Sequence, residues 1–164
     1  MNTYYTTLNA HQRGIFILYS EEGLKFVKLS SKLEELTKKI ENLTQRSDLR
    51  LEEDLKDYFK GKSIFFRDYK LDFSRISEFQ KKVLMATLDI PYGETRSYKW
   101  VAIQIGKDKA YQAVGQALHN NPLPIIIPCH RVIKEDGKLG GFSGGLDWKK
   151  RLLTLEQKNV GINS

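Results

Sequence analysis

The stretch from Asn121 to Val132, Asn-Pro-Leu-Pro-Ile-Ile-Ile-Pro-Cys-His-Arg-Val, constrains this chain more than any other. Three consecutive isoleucines have the length and β-branching of a short, fully buried strand. Pro128 ends the run, because it has no N–H for a ladder and biases Ile127 toward an extended backbone. Cys129, the only cysteine in 164 residues, comes next, and His130 adjoins it. The pattern predicts a lone thiol at the mouth of a buried strand, beside an imidazole. The thiolate is the nucleophile, so a reactive sulfur needs a neighbour that lowers its pKa. Adjacent side chains diverge on a regular helix or strand, so His130 serves only in an irregular turn or through a water. Pro128 favours such a turn. The plain alternative is a cysteine packed as a small, inert hydrophobe.

Composition narrows the setting. A 40% hydrophobic fraction and 18 aromatic residues suffice for a real core, so a disordered chain is excluded. One cysteine forms no internal disulfide and supplies no structural zinc site alone. A free thiol fits a reducing compartment. No stretch has the length of a membrane span, and the start Met1-Asn2-Thr3-Tyr4-Tyr5 lacks the basic and apolar regions of a signal peptide. The expectation is a soluble, cytoplasmic monomer. Residues 1–72 carry 13 Lys/Arg against 12 Asp/Glu, and residues 73–164 carry 14 against 8. The basic excess lies in the half containing Cys129. It suits a phosphate backbone, or equally a solvated face that aids solubility.

Residues 1–30 read as strands, with a hairpin from Gly14–Tyr19 through Ser20-Glu21-Glu22-Gly23 into Leu24–Leu29. Ser31-Lys32-Leu33-Glu34 has the form of a capping box, followed by Leu33, Leu36, Ile40 and Leu43 at helical spacing. A second helix starts near Asp48, carries Leu51, Leu55, Tyr58 and Phe59 on one face, and stops at Gly61. His11 reads as a solvated turn residue. This half, residues 1–72, is predicted to be a small α/β scaffold. Beyond a connector at 62–76, Ser77-Glu78-Phe79-Gln80 is another capping box, with Phe79, Val83, Ala86 and Ile90 facing inward. Ser97 caps a short helix bearing Tyr98, Val101, Ala102 and Ile105 and ending at Gly106. Asp108 caps another, with Ala110, Val114, Ala117 and Leu118 inward. The pair has the pattern of a helix-turn-helix. Glycines 137, 140, 141, 144 and 145 crowd one loop, and Trp148, Leu152 and Leu155 mark a last amphipathic helix, with Gly161 just beyond.

Glu156 is the one carboxylate on the core-facing part of that helix. It either orients His130 as the third member of a relay or is an ordinary exposed helix-end acid. The glycine-rich loop has no phosphate-binding lysine-serine pattern, so close backbone approach to a flat ligand is the better use for it. A cysteine hydrolase would draw its histidine from a distant segment, and neither His11 nor His119 sits in a convincing setting.

Pro128-Cys129-His130-Arg131-Val132, preceded by Asn121-Pro122 and followed by Gly140-Gly141-Phe142-Ser143-Gly144-Gly145-Leu146, resembles the O6-alkylguanine-DNA alkyltransferase family. The resemblance extends back through Ala113-Val114-Gly115, Ser97-Tyr98 and Ile90–Thr95 to Phe79-Gln80, covering about residues 75–157. Residues 1–72 match only in general shape. The resemblance implies a ribonuclease-H-like α/β N-terminal domain and a mostly α, winged helix-turn-helix C-terminal domain over residues 73–164. It also implies a methylated-DNA–protein-cysteine methyltransferase that flips a damaged base from double-stranded DNA. The O6-alkyl group of guanine, with O4-alkylthymine a further substrate, passes irreversibly to Cys129 in a single turnover.

On this resemblance His130, through a water, yields the thiolate, Glu156 orients His130, and Asn121 ties the turn around the cysteine. Tyr98 donates a proton toward the guanine ring. Phe142 and Ser143 hold the flipped base, and Pro124 and Val132 line its pocket. Gln112, Ala113, Gly115 and Thr95 face DNA, with the small residues letting the second helix approach the minor groove. No cofactor or metal is implied, since the zinc ligands of some members have no counterpart here. Gln112 stands where the family usually has an arginine finger. It can hydrogen-bond the orphaned base but brings no positive charge. A non-catalytic module that only flags alkylated bases is the main competing function, and Cys129 argues against it. A transcription regulator and a cysteine hydrolase are weaker alternatives.

Overall fold

The computed structural model describes residues 2–10, 13–40 and 42–160. His11 and Gly161 lie outside them. The chain divides into two compact units, Met1–Phe73 and Ser74–Ser164.

The first unit is a four-stranded sheet built from β1 (Thr3–Ala10), β2 (Arg13–Ser20), β3 (Gly23–Ser30) and β4 (Leu43–Gln45), in the order β3-β2-β1-β4. The first three strands form an antiparallel meander, and β4 runs parallel to β1. Ile15, Phe16 and Ile17 of β2 are fully buried, as an apolar run in a central strand should be. Helix α1 spans Leu33–Lys38, and α2 spans Leu49–Phe59. The Asp48 carboxylate caps α2 by accepting from Leu51 N at 3.1 Å. Leu51, Leu55 and Tyr58 bury its apolar face, and the Thr6 hydroxyl of β1 bonds the Glu52 carboxylate. The connector is not free chain: Phe66 packs edge-on against Tyr58, and Asp72 N donates to Leu24 O at 2.8 Å.

The long helix expected from Leu33 to Leu43 is not formed. Helix α1 has six residues, none buried, no side-chain cap from Ser31, and Lys32 at its N-cap. Asn42 turns the chain with φ 61°, and Leu43–Gln45 then pairs with Thr3–Tyr5. Hydrogen bonds along an open sheet edge outweigh a marginal helix of exposed residues.

The second unit carries α3 (Glu78–Leu88), α4 (Tyr98–Gln104), α5 (Tyr111–His119) and α6 (Leu146–Asn159), with a two-stranded parallel pair of β5 (Arg96–Ser97) and β6 (Val132–Ile133). Ser77 caps α3 through Gln80 N. The Gln80 side chain does not complete the box; its Nε2 donates to Ala117 O and Asn120 O, satisfying orphan carbonyls at the end of α5. The buried face of α3 is Val83, Leu84, Thr87 and Leu88, rotated from the expected one, with Phe79 and Ala86 half-buried. Ser97 caps α4 through Trp100 N. Asp108 does not cap α5. Its N-cap is Ala110, whose N–H closes a turn on Lys107 O.

The expected isoleucine strand is a turn. Ile125, Ile126 and Ile127 are buried as predicted, but Ile125 sits in the left-handed region at φ 74°. Such a conformation costs a β-branched residue about 1–2 kcal/mol. Asn121 supplies the compensation: its Oδ1 accepts from Leu123 N at 2.9 Å and its Nδ2 donates to Ile127 O at 3.1 Å. A side-chain amide bonded to local backbone competes directly with a strand ladder. Among the described residues no helix is long and apolar enough to cross a membrane.

Candidate active site

The turn around Asn121 leads Pro128 into one 3-10 turn, Cys129–Arg131, so the cysteine opens a tight turn rather than ending a strand. All three residues of that turn are buried, and Cys129 is 4% exposed. Asn121 Nδ2 lies 3.1 Å from Cys129 Sγ, so one amide fixes both the loop and the sulfur. Burial pushes the Cys129 thiol up to about 11, while the Asn121 amide and the Lys149 charge act in the opposite direction. The free protein therefore holds a protonated thiol that needs a base.

His130 projects from the same turn toward α6. Its Nε2 lies 2.7 Å from Glu156 Oε1, and both side chains are buried. Glu156 is also gripped by Arg131, whose Nε and Nη2 donate to the carboxylate at 2.8–3.1 Å. Gly93 N adds a longer bond at 3.3 Å. Burial opposes the charged carboxylate, but His130 and Arg131 outweigh it and hold the carboxyl well below its usual range. Burial lowers the His130 pKa against the pull of Glu156. Glu156 is thus ionised and His130 neutral, with the Nε2 proton donated to Glu156. The second nitrogen, Nδ1, is then the basic one.

Tyr98 is the first residue of α4, placed by the Ser97 cap. It stands on the wall of a cleft of about 990 Å³ with Gln112, Gly115, His119, Gly140 and Gly141. Two glycines fit against its ring. A Cβ on Gly115 would lie 3.7 Å from it, and one on Gly140 (φ 69°) would lie 2.5 Å from the hydroxyl. Only glycine allows the loop this close. Burial raises the Tyr98 pKa, and a thiolate at Cys129 raises it further, so the phenol stays protonated.

The structure sets Asn121 against Cys129 and Glu156 against His130, two bonded pairs joined through consecutive residues of the Cys129–Arg131 turn. Gln112 and Gly115 share the cleft with Tyr98, whereas Ala113 is exposed on α5 and Thr95 lines a separate, smaller hollow with Lys150. Pro124, Val132 and Phe142 are buried and Ser143 is exposed; none of the four is on the cleft wall. His119, set aside in the sequence, does stand on that wall. Arg131 and Lys149 were missed altogether. Lys149, Leu152, Leu153 and Glu156 recur at 3, 4 and 7 residues, which puts Lys149 on the buried stripe of α6. Among the described residues no cluster of three His, Cys, Asp or Glu could hold a metal ion.

Residues 78–158 match the family model for the DNA-binding domain of 6-O-methylguanine DNA methyltransferase. A methylated-DNA–protein-cysteine methyltransferase of Methanosarcina barkeri is 44% identical over 160 residues, covering 96% of this chain and 99% of that one. A solved Mycobacterium tuberculosis OGT in complex with DNA superposes with a TM-score of 0.81 at 35% identity, over 95% of this chain and 94% of that one. The M. tuberculosis O6-methylguanine methyltransferase structure gives 0.81 at 36% identity, over 96% and 94%. With a relative this similar matched along nearly its whole length, the chain belongs to the methylated-DNA–protein-cysteine methyltransferase family.

Proposed function

We propose that this protein repairs alkylated double-stranded DNA by taking the alkyl group from O6 of guanine onto Cys129, once per molecule. The observation that carries the reading is the buried sequence of bonds from Asn121 to the sulfur and from His130 to Glu156. The sulfur and the neutral imidazole belong to consecutive residues of a tight turn, and the imidazole is oriented by an ionised carboxylate.

His130, by way of a water, takes the thiol proton, and the thiolate attacks the alkyl carbon in line with the C–O6 bond. The S–C bond forms as C–O6 breaks, and the electron pair stays on guanine. Tyr98 gives its phenolic proton to the departing base, which is a poor leaving group as an anion. Tyr98 recovers a proton from the protonated His130, so the thiol proton ends on guanine. The product thioether has no leaving tendency, and the protein is spent. O4-alkylthymine presents the same alkyl–oxygen bond and is a further substrate.

O6 is not open to in-line attack inside the duplex, so the base is flipped. In this reading Phe142, Ser143, Pro124 and Val132 hold it, and α4 and α5 act as a helix-turn-helix of a winged domain, residues 73–164. Gln112, Ala113, Gly115 and Thr95 meet the DNA. Residues 1–72 act as a ribonuclease-H-like scaffold, and the protein works as a monomer. The experiment is mass spectrometry after mixing with a duplex carrying one O6-methylguanine. One added methyl per chain on the Cys129 peptide, without turnover, is expected. DNA binding with no methyl transfer would replace this reading with a non-catalytic lesion-flagging module.

A further inference from the structure

Lys149 is the one lysine among the described residues that is fully buried, at 0% exposure, and the mechanism above gives it no step. Burying an ammonium is costly, and a leucine or methionine would fill the same helix position without that cost. Its partners are carbonyls. Nζ donates to Val132 O at 2.7 Å and to Gly141 O at 3.2 Å. Val132 follows the Cys129–Arg131 turn directly, and Gly141 precedes Phe142 in the glycine-rich loop. The backbone of the same residue holds the other end of that loop, Lys149 N donating to Gly145 O at 3.2 Å. Residues 141–145 are therefore pinned at both ends by one lysine, and Gly145 N closes them internally on Phe142 O. The ammonium also stands 5.8 Å from the centre of the Tyr98 ring, the ring Gly140 abuts.

We propose that Lys149 is a positioning residue whose ammonium clamps the glycine-rich loop to the carbonyl of Val132 and so sets Phe142 and Gly140 relative to the Cys129 sulfur and Tyr98. The proposal rests on the alkyl-transfer reading and adds a residue to it. The clamp acts on how well the base is held more than on the reactivity of the sulfur, whose own turn Asn121 already ties. Lys149 also places a positive charge near Cys129, so a useful test must separate the charge from the clamp.

The comparison of Lys149→Gln with Lys149→Met does so, because both lack the charge while only glutamine can donate to the two carbonyls. The probe is free O6-benzylguanine, and the reading is the rate of benzyl transfer to Cys129 against probe concentration. The half-saturating concentration is expected to rise tenfold or more in Lys149→Met and no more than about threefold in Lys149→Gln. The limiting rate should fall by similar factors in both. In a Phe142→Ala background the difference between the two variants should vanish, since the loop no longer carries the ring it positions. Equal half-saturation in the Gln and Met variants, or a difference undiminished by Phe142→Ala, overturns the proposal. Lys149→Ala, which leaves room for water at both carbonyls, replaces Lys149→Met if the latter does not fold. Failure of the wild-type protein to accept any benzyl or methyl group would instead reject the alkyl-transfer reading.

Discussion

Glu156 meets Arg131 and His130 through the same oxygen: Oε1 lies 2.8 Å from Arg131 Nη2 and 2.7 Å from His130 Nε2. His130 and Arg131 together hold Glu156 ionised, and the ionised carboxylate accepts the Nε2 proton of His130, leaving Nδ1 basic. The arginine, which touches no reacting atom, thus contributes to the protonation state of the base through the carboxylate they share. Glu156→Gln is expected to leave Arg131 buried without its counter-charge, a loss of about 3–5 kcal/mol of stability. Alkyl transfer should slow by at least about a hundredfold, the scale of a lost general base. Denaturant unfolding and a single-turnover rate measure the two. Wild-type transfer by a folded Glu156→Gln protein would remove Glu156 from the mechanism.

The same pair makes the fold acid-sensitive, with a definite sign. Glu156 has a folded pKa below its unfolded value, so its contribution is present above the unfolded value and lost as pH falls through the folded one. His130 is also depressed, so the unfolded chain binds its proton first as pH drops below about 6.5. Both groups therefore make stability rise with pH across the acidic range. Melting temperature should fall steadily from pH 7 to pH 3, and Glu156→Gln should flatten that slope only below about pH 4.5, because losing the carboxylate depresses His130 further and leaves the upper part of the slope in place. A flat wild-type profile would contradict the assigned charge states.

How far the sequence could be read depends on what each residue's neighbours supply. Asp48, Ser77 and Ser97 cap helices as their local sequence predicts, because capping needs only residues within one turn. The isoleucine run was legible as buried but not as a turn, because the deciding bonds come from Asn121, four residues before the run. Leu43 had helical spacing, yet its pairing with Thr3 across forty residues decided its fate. Cys129, His130 and Glu156 stood out by type and position. Arg131 and Lys149 did not, since cations default to solvent and only tertiary structure shows that these two are enclosed.

Alkylation should destabilise the protein. Asn121 Nδ2 is 3.1 Å from the sulfur, and Cys129 is 4% exposed in a turn already strained at Ile125. An added methyl must displace that amide or move the turn, an overpacking cost of about 1–3 kcal/mol. Complete methylation is expected to lower the melting temperature by several degrees, with a benzyl group lowering it further. An unchanged melting temperature would mean that the site has room for the product.

Gln112 lies at the start of α5, exposed on the cleft wall beside Tyr98 and Gly115. A neutral amide there can hydrogen-bond an orphaned base, but it attracts no phosphate and offers no guanidinium plane to stack. Gln112→Arg adds a charge next to an exposed surface, so it should leave stability within about 0.5 kcal/mol. It is expected to tighten binding to duplex carrying O6-methylguanine or to speed transfer from it, by about three- to thirtyfold. The gain should shrink with salt if the charge acts on the backbone, and persist if stacking within the helix dominates. Transfer from free O6-benzylguanine, which needs no flipping, should not change. Equal acceleration on the free base would place the effect in the pocket, and no effect on either substrate would mean that this position does not act on the flipped-out state.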